Sequence, residues 1–254
     1  MEFKDKVAFV TGAASGIGRA TALAFATGGA RVALVDRDAQ ACRRTLDLVQ
    51  QAGGRGLVLE CDVAQAEQVR AAVDATVGAW GALDCAVNAA GVEGATRELL
   101  EEDDALYEHT MNINVRGVWL CMRAQIAQML AQPGGGGSVV NISSGAGLVG
   151  SARSAVYGAS KHAVIGLTRS AALQYARRGV RINAVCPSGV QTPMAERIIA
   201  SFPGGPPSGG GARYPLGRYS TAEEIASGVL WLCSAGAASA IGSVLTIDAG
   251  FTAA

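Results

Sequence analysis

The stretch Thr11-Gly12-Ala13-Ala14-Ser15-Gly16-Ile17-Gly18 carries the strongest structural signal in the sequence. It follows an apolar run at residues 7–10 and opens a helical pattern over residues 16–27. The glycines allow a tight turn and a close approach of the backbone to an anion, and the helix that follows offers free N–H groups and a positive dipole end. An ordinary strand–helix turn has the same spacing, so this stretch alone predicts only the turn.

Asp36, at the end of the next apolar run, indicates what the glycine turn binds. The run at residues 32–35 ends in Asp36, about twenty residues after the glycines, where a carboxylate accepts hydrogen bonds from an adenosine ribose. Together the two features predict a dinucleotide site. Asp36 would repel a 2′-phosphate and Ser15 offers no compensating charge, so we expect NAD rather than NADP. Arg37 is the competing feature, because an arginine there can receive a 2′-phosphate.

Short apolar runs and longer helical patterns alternate along the whole chain. This alternation predicts an α/β protein: a single doubly wound Rossmann-type domain over residues 1–254, with a parallel sheet of about seven strands and helices on both faces. Ligands of such sheets bind outside the carboxyl ends of the strands. The predicted strands are 7–10, 32–35, 56–59, 84–88, 138–142, 181–185 and 244–247, and the predicted helices are 16–27, 39–51, 65–78, 107–130, 157–177 and 222–233.

Composition excludes several classes of function. The 254 residues include 21 basic and 21 acidic side chains, and no basic stripe that would indicate a nucleic-acid partner. The six cysteines lack metal or redox spacing and are expected to be buried thiols, and the two histidines are far apart, so we expect no metal site. Residues 1–12 resemble neither a signal peptide nor a membrane span. We therefore expect a cytoplasmic protein with no membrane partner.

Tyr157 and Lys161 indicate the chemistry. They are four residues apart at the start of a predicted helix and so share a face. A free tyrosine has a pKa of about 10, and a nearby ammonium favours the phenolate and lowers that pKa. Only three lysines occur in the chain, and the other two are Lys4 and Lys6. An internal lysine kept in a chain that otherwise uses arginine indicates a specific need at this position.

Two further polar residues, Ser144 and Asn114, lie at positions where a functional role is possible. Ser144 lies just after the strand at 138–142, where its hydroxyl can bond a substrate oxygen or cap a helix. Asn114 lies inside the predicted helix 107–130, where asparagine is a poor helix former. It indicates either solvent exposure or a functional kink or water site.

These motifs resemble the short-chain dehydrogenase/reductase family in its form of about 250 residues. The resemblance runs from residue 6 to residue 251. The motifs that carry it also include residues 183–187 and 248–250. It implies that Tyr157 is the catalytic acid/base, that Lys161 lowers its pKa and binds the nicotinamide ribose, that Ser144 positions the substrate oxygen, and that Asn114 holds a relay water. The cofactor-binding residues that we expect are Gly12, Ser15, Gly16, Ile17, Gly18, Asp36, Arg37, Asp62, Val63, Asn88, Ala89, Gly91, Tyr157, Lys161, Pro187, Val190 and Thr192.

The substrate is less well determined. Segments after Gly91, Ser144 and Gly189 should line a mainly apolar pocket, which favours small alicyclic or aryl alcohols, cyclic diols and their ketones. The expected pocket residues are Val92, Glu93, Leu148, Val149, Arg153, Val190, Met194 and Ile198. Glu93 and Arg153 are either specificity residues or solvated rim charges.

Three alternatives stay open. A 3-oxoacyl-thioester reductase is disfavoured because residues 134–137, all glycine, lack the basic residues that family members acting on acyl-carrier proteins tend to have. A non-catalytic cofactor sensor or scaffold would not need both Tyr157 and Lys161. A sugar epimerase or dehydratase usually has a longer C-terminal substrate region.

Two expectations concern parts of the chain outside the catalytic motifs. Residues 190–218 should form a substrate-binding lid that begins as a short helix at 194–200 and then enters a Gly- and Pro-rich loop. The helix patterns 107–130 and 157–177 are apolar beyond one stripe, and the family resemblance also suggests a homotetramer.

Overall fold

The structure is a computed structural model and describes residues 2–201 and 210–253. A seven-stranded sheet has the order β3-β2-β1-β4-β5-β6-β7, and each neighbouring pair is parallel. Its strands are β1 (Val7–Thr11), β2 (Arg31–Asp36), β3 (Arg55–Glu60), β4 (Cys85–Asn88), β5 (Gly137–Ile142), β6 (Val180–Pro187) and β7 (Val244–Ile247). The predicted doubly wound Rossmann-type fold is confirmed.

Eight α-helices occur in the described residues and cover both faces of the sheet. They are α1 (Gly16–Thr27), α2 (Ala39–Gln51), α3 (Ala66–Trp80), α4 (Asp104–Met111), α5 (Val118–Ala131), α6 (Ala155–Tyr175), α7 (Pro193–Ala200) and α8 (Ala222–Cys233). One apolar cluster packs α1, α2 and α8 on one face, and a second packs α3, α5 and α6 on the other. Because β1 and β2 are buried on both faces, they consist of apolar residues with little alternation.

One predicted helix is divided in the structure. Residues 107–130 were expected to form a single helix, but α4 begins earlier because the Asp103 side chain accepts a hydrogen bond from Leu106 N (2.8 Å). A π-helical segment, Asn112–Gly117, then separates α4 from α5. Single π turns are frequent at functional sites. This one contains the completely buried Asn114, so the kink was the right interpretation and solvent exposure was wrong.

Smaller differences concern the other boundaries. Helix α6 begins at Ala155, two residues earlier than predicted, and the carboxylate of Glu102 accepts a hydrogen bond from Val156 N (3.3 Å) in its first turn. The short helix expected at 194–200 is α7, which begins at Pro193 after the cap Thr192. The Gly- and Pro-rich part of the expected lid, at 202–209, lies outside the described residues.

The carboxyl ends of the central strands lie level with one another. Thr11 pairs with Asn88, and Asn88 pairs with Asn141, so β1, β4 and β5 end in one row. Thr11 Oγ1 accepts hydrogen bonds from Ala89 N and Ala90 N (both 3.1 Å) and ties the turn after β4 to the turn after β1. This row places the glycine turn, residues 89–91 and Ser144 along one edge.

Candidate active site

A cleft of about 560 Å³ lies at this edge, and both the glycine turn and Asp36 line it. Gly12 has φ +68°, and a Cβ there would lie 2.8 Å from Ala90 N. A Cβ on Gly18 would lie 2.1 Å from Gly12 O. Side chains at these two positions would therefore displace the turn. Because Ser15 makes no side-chain cap to α1, the N–H groups of the first helical turn keep their capacity to bind an anion.

Asp36 is fixed at the far end of the cleft by the main chain. One carboxylate oxygen accepts a hydrogen bond from Ala14 N (3.1 Å), and the other accepts one from Asp38 N (3.0 Å). Arg37 and Arg44 line the same end, as does Arg19, which also donates to Thr45 Oγ1 (3.1 Å) and to Ala14 O. The sequence analysis did not identify Arg19 or Arg44, because neither is part of a motif and both reach the cleft from helical positions.

Most of the expected cofactor residues are brought together. The expected residues that line this cleft are Gly12, Ser15, Gly16, Ile17, Gly18, Asp36, Arg37, Asp62, Val63, Ala89, Gly91 and Thr192. Pro187 and Val190 are buried and do not line it. Asn88 does not line it either, because its amide turns inward and bonds Gln125 and Asn141 in a buried network.

Ser144, Tyr157 and Lys161 meet beyond the carboxyl end of β5. The Tyr157 hydroxyl lies close enough to the Ser144 side chain for Ser144 to act on its pKa. Lys161 is 6% exposed, its Nζ donates to Ile142 O (3.1 Å), and that Nζ lies 5.7 Å from the centroid of the Tyr157 ring. A Cβ on Gly91 would lie 3.5 Å from Lys161 Nζ, so the lysine borders the turn that lines the cleft. The arrangement places an ammonium, a phenol and a hydroxyl at one point.

Burial dominates the electrostatics of this pair. It lowers the pKa of Lys161 to about 8, so the side chain is mostly protonated at neutral pH. Burial also raises the pKa of Tyr157, the hydrogen bond from Ser144 works to lower it, and the charge of Glu93 raises it further. The protein alone therefore shifts Tyr157 in the direction opposite to the one expected from the Tyr–Lys spacing. A lowered pKa in the cofactor complex stays a prediction.

Asn114 uses its amide to hold the loop after β4. Its Oδ1 accepts a hydrogen bond from Val92 N (2.8 Å), and its Nδ2 donates to Val92 O (3.0 Å). Nδ2 also donates to Ser160 Oγ (3.1 Å), and Ser160 Oγ donates to Tyr157 O (2.7 Å). These hydrogen bonds use both N–H groups of the amide and one of the two lone pairs of Oδ1, so the relay water expected at Asn114 stays a prediction.

The loop after β4 also contacts α7. The Glu93 carboxylate accepts hydrogen bonds from Arg197 Nε (2.6 Å) and Nη2 (3.1 Å), and Ser201 Oγ bonds Thr96 Oγ1 (3.0 Å). Burial works to raise the pKa of Glu93, but Arg197, a main-chain hydrogen bond and the charge of His109 together outweigh it, so the pKa of Glu93 lies below the usual value. Arg153, expected in the pocket, is exposed and meets this loop through its carbonyl, which accepts a hydrogen bond from Arg97 N (3.0 Å).

Other expectations about the chain can be compared with the structure. All six cysteines are buried free thiols, as predicted. Within residues 2–201 and 210–253, no group of three or more His, Cys, Asp or Glu is arranged to hold a metal ion. None of the helices described combines the length and apolar character needed to cross a bilayer.

Comparison with known proteins supports the interpretation of the motifs. Residues 12–252 match a family described as enoyl-(acyl carrier protein) reductase. The chain is 40% identical to the 2,5-dichloro-2,5-cyclohexadiene-1,4-diol dehydrogenase of Sphingobium indicum over 99% of both chains. It is 39% identical to the cis-4-hydroxycyclohexanecarboxylate dehydrogenase of Sinomonas cyclohexanicum, over 99% of this chain and 98% of that one.

A solved structure extends the likeness to three dimensions. The crystal structure of levodione reductase superposes with a TM-score of 0.95 at 36% identity, covering 99% of both chains. The chain therefore matches known proteins over nearly its whole length, both in sequence and in three-dimensional structure. The chain belongs to the short-chain dehydrogenase/reductase family, and it is an oxidoreductase of that family.

Proposed function

We propose that this protein is an NAD-dependent dehydrogenase that interconverts a secondary alcohol on a small alicyclic ring and its ketone. The observation that supports it most directly is the meeting of Ser144, Tyr157 and Lys161 at the end of β5, beside the cleft that the glycine turn and Asp36 line. Relatives named for a cyclohexadiene diol and a hydroxycyclohexanecarboxylate support the alicyclic substrate class.

Each residue then has a role that its position allows. The hydroxyls of Ser144 and Tyr157 bind the substrate oxygen, and Tyr157 takes its proton during oxidation. Lys161 supplies positive charge beside the phenol, and Asn114 fixes the loop whose Gly91 borders that lysine. The nicotinamide of bound NAD would accept the hydride from the carbinol carbon.

The substrate class can be tested with a panel. We expect NADH formation from cyclohexanol and cyclohexanediols at 340 nm, and no oxidation of NADH with acetoacetyl-CoA. The thioester is included because the matching family is described as an enoyl-(acyl carrier protein) reductase. Activity with the thioester alone would establish the thioester reductase and reject the alicyclic dehydrogenase.

Cofactor preference gives a prediction at Asp36. Its carboxylate is held at the adenosine end of the cleft, where a 2′-phosphate would meet like charge, so kcat/KM should favour NAD over NADP by about tenfold or more. Asp36→Ala should narrow the gap, because Arg37 and Arg44 line the same end. The control is Asp47→Ala, an exposed acid on α2 that does not line the cleft. An equal or better value with NADP in the wild type would contradict the proposal.

We also propose a homotetramer, supported by an apolar groove of about 770 Å³ between α5 and α6. Trp119, which lines it, is 41% exposed and carries Arg123 over its ring at 4.6 Å. A closed symmetric interface would bury this groove. Trp119→Glu should reduce the mass measured by light scattering from four chains to a smaller species. Leu100→Glu, 98% exposed on another segment, is the control. A stable wild-type monomer at micromolar concentration would contradict the proposal.

A cytoplasmic location completes the proposal. Six free thiols are typical of proteins in a reducing compartment.

Residues 190–218 remain the proposed substrate-binding segment, because residues of α7 line the cleft and Arg197 of α7 forms an ion pair with Glu93.

A further inference from the structure

The ion pair between Glu93 and Arg197 lies at the mouth of the catalytic site. Arg197 presents Nε and Nη2 to the two carboxylate oxygens in the fork geometry that arginine uses to bind carboxylates. Arg197, Met194 and Val92 also line the cofactor cleft. The guanidinium edge that would best receive a carboxylate from a ligand is therefore already occupied by a carboxylate of the protein.

Glu93 is the member of the pair that lies next to the reacting group. The residue before it, Val92, is held through both of its main-chain polar groups by Asn114. The residue after it, Gly94, is so close to Tyr157 that a Cβ there would lie 3.3 Å from Tyr157 Cβ. Burial is the largest cause that raises the pKa of Tyr157, and the charge of Glu93 adds to it. The position of Gly94 and the effect of the Glu93 charge therefore both place Glu93 beside Tyr157.

We propose that Glu93 makes this site select neutral, hydroxyl-bearing rings and reject rings that carry a carboxylate. The inference rests on the proposed function. A ring hydroxyl or amide can donate to the Glu93 carboxylate, and hydrogen bonds to charged groups are strong. A ring carboxylate meets like charge instead, and Arg197 is already engaged. The two relatives differ on this point, since one is named for a diol and the other for a hydroxycyclohexanecarboxylate.

The experiment uses two substrates that have the same shape and differ in charge. At pH 8 with saturating NAD, the wild-type protein should oxidise cis-4-hydroxycyclohexanecarboxamide with a kcat/KM about tenfold or more above that for the carboxylate. Cyclohexanol serves as the neutral reference. A ratio near one or below in the wild type would overturn the inference, and this comparison needs no variant.

Substitution of Glu93 tests the cause. Glu93→Gln keeps the shape, removes the charge and frees Arg197, so the amide-to-carboxylate ratio should fall to about one or below. Because the ratio compares two substrates in the same variant, a change in the pKa of Tyr157 that affects both substrates equally leaves it unaltered. Glu196→Gln makes the same charge change on an exposed residue of α7 and should keep the wild-type ratio. A wild-type ratio in Glu93→Gln would overturn the inference. Wild-type protein that oxidises none of the three alcohols would instead overturn the proposed function.

Discussion

Tyr157→Phe should lower kcat for cyclohexanol oxidation by about 10²- to 10⁴-fold, the usual contribution of a general acid–base residue. The substitution removes one oxygen, the atom that lies by Ser144 and would take the substrate proton. The aromatic ring is kept, so packing of α6 should be unchanged. NADH binding, measured by fluorescence, should therefore stay near the wild-type value.

A matched variant separates catalysis from helix stability. Tyr175→Phe makes the same change at the end of α6, in the groove between α5 and α6 and away from Ser144. It should retain nearly full kcat. Tyr157→Phe activity within a factor of about five of wild type would mean that another group moves the proton.

Lys161→Ala should move the rising limb of the pH–rate profile for alcohol oxidation, which reports the deprotonation of Tyr157, to higher pH by one unit or more. An ammonium favours the phenolate, so its removal raises the pKa of Tyr157, and each unit corresponds to about 1.4 kcal/mol. The pKa of Lys161 is itself about 8, so its help is present below that pH and declines as the pH rises through it. The apparent pKa values of the wild-type profile therefore belong to the coupled Tyr157–Lys161 pair and not to either residue alone.

The profile also distinguishes two roles of Lys161. Loss of charge beside the phenol changes the apparent pKa at saturating NAD, whereas loss of a ribose ligand raises the KM for NAD alone. Lys4→Ala makes the same substitution at an exposed position and should change neither. An unchanged apparent pKa in Lys161→Ala, with only a weaker cofactor affinity, would reject the electrostatic role.

The fold was predictable because burial on both sides of a parallel sheet leaves a simple signature. The strand at 244–247 and the helices at 16–27, 39–51 and 222–233 were predicted with the bounds that the structure shows. Most other strands are longer than predicted by one or two residues at an end, because pairing with a neighbouring strand extends a strand beyond its apolar run, whereas β4 begins one residue later than predicted. Helix 107–130 was divided because the buried amide of Asn114 bonds a distant loop, and no local propensity encodes that contact.

The site was predictable where function requires a local motif. The glycine turn, Asp36 and the Tyr157–Lys161 spacing are such motifs. Contacts between distant segments were not predictable in this way. Glu93 and Arg197 are 104 residues apart, and either is an ordinary surface charge until α7 folds over the loop after β4. Asn88 illustrates the converse, since its position at a strand end predicted the cleft but its side chain faces the interior.

Transfer of hydride from the carbinol carbon is the central claim, and deuterium tests it most directly. Wild-type protein with NAD and cyclohexanol deuterated at C1 should give one cyclohexanone per NADH, with the deuterium at C4 of the nicotinamide. Tyr157→Phe should give almost none of either product in the same time. NADH that lacks deuterium, or ketone formed without NADH, would contradict the account.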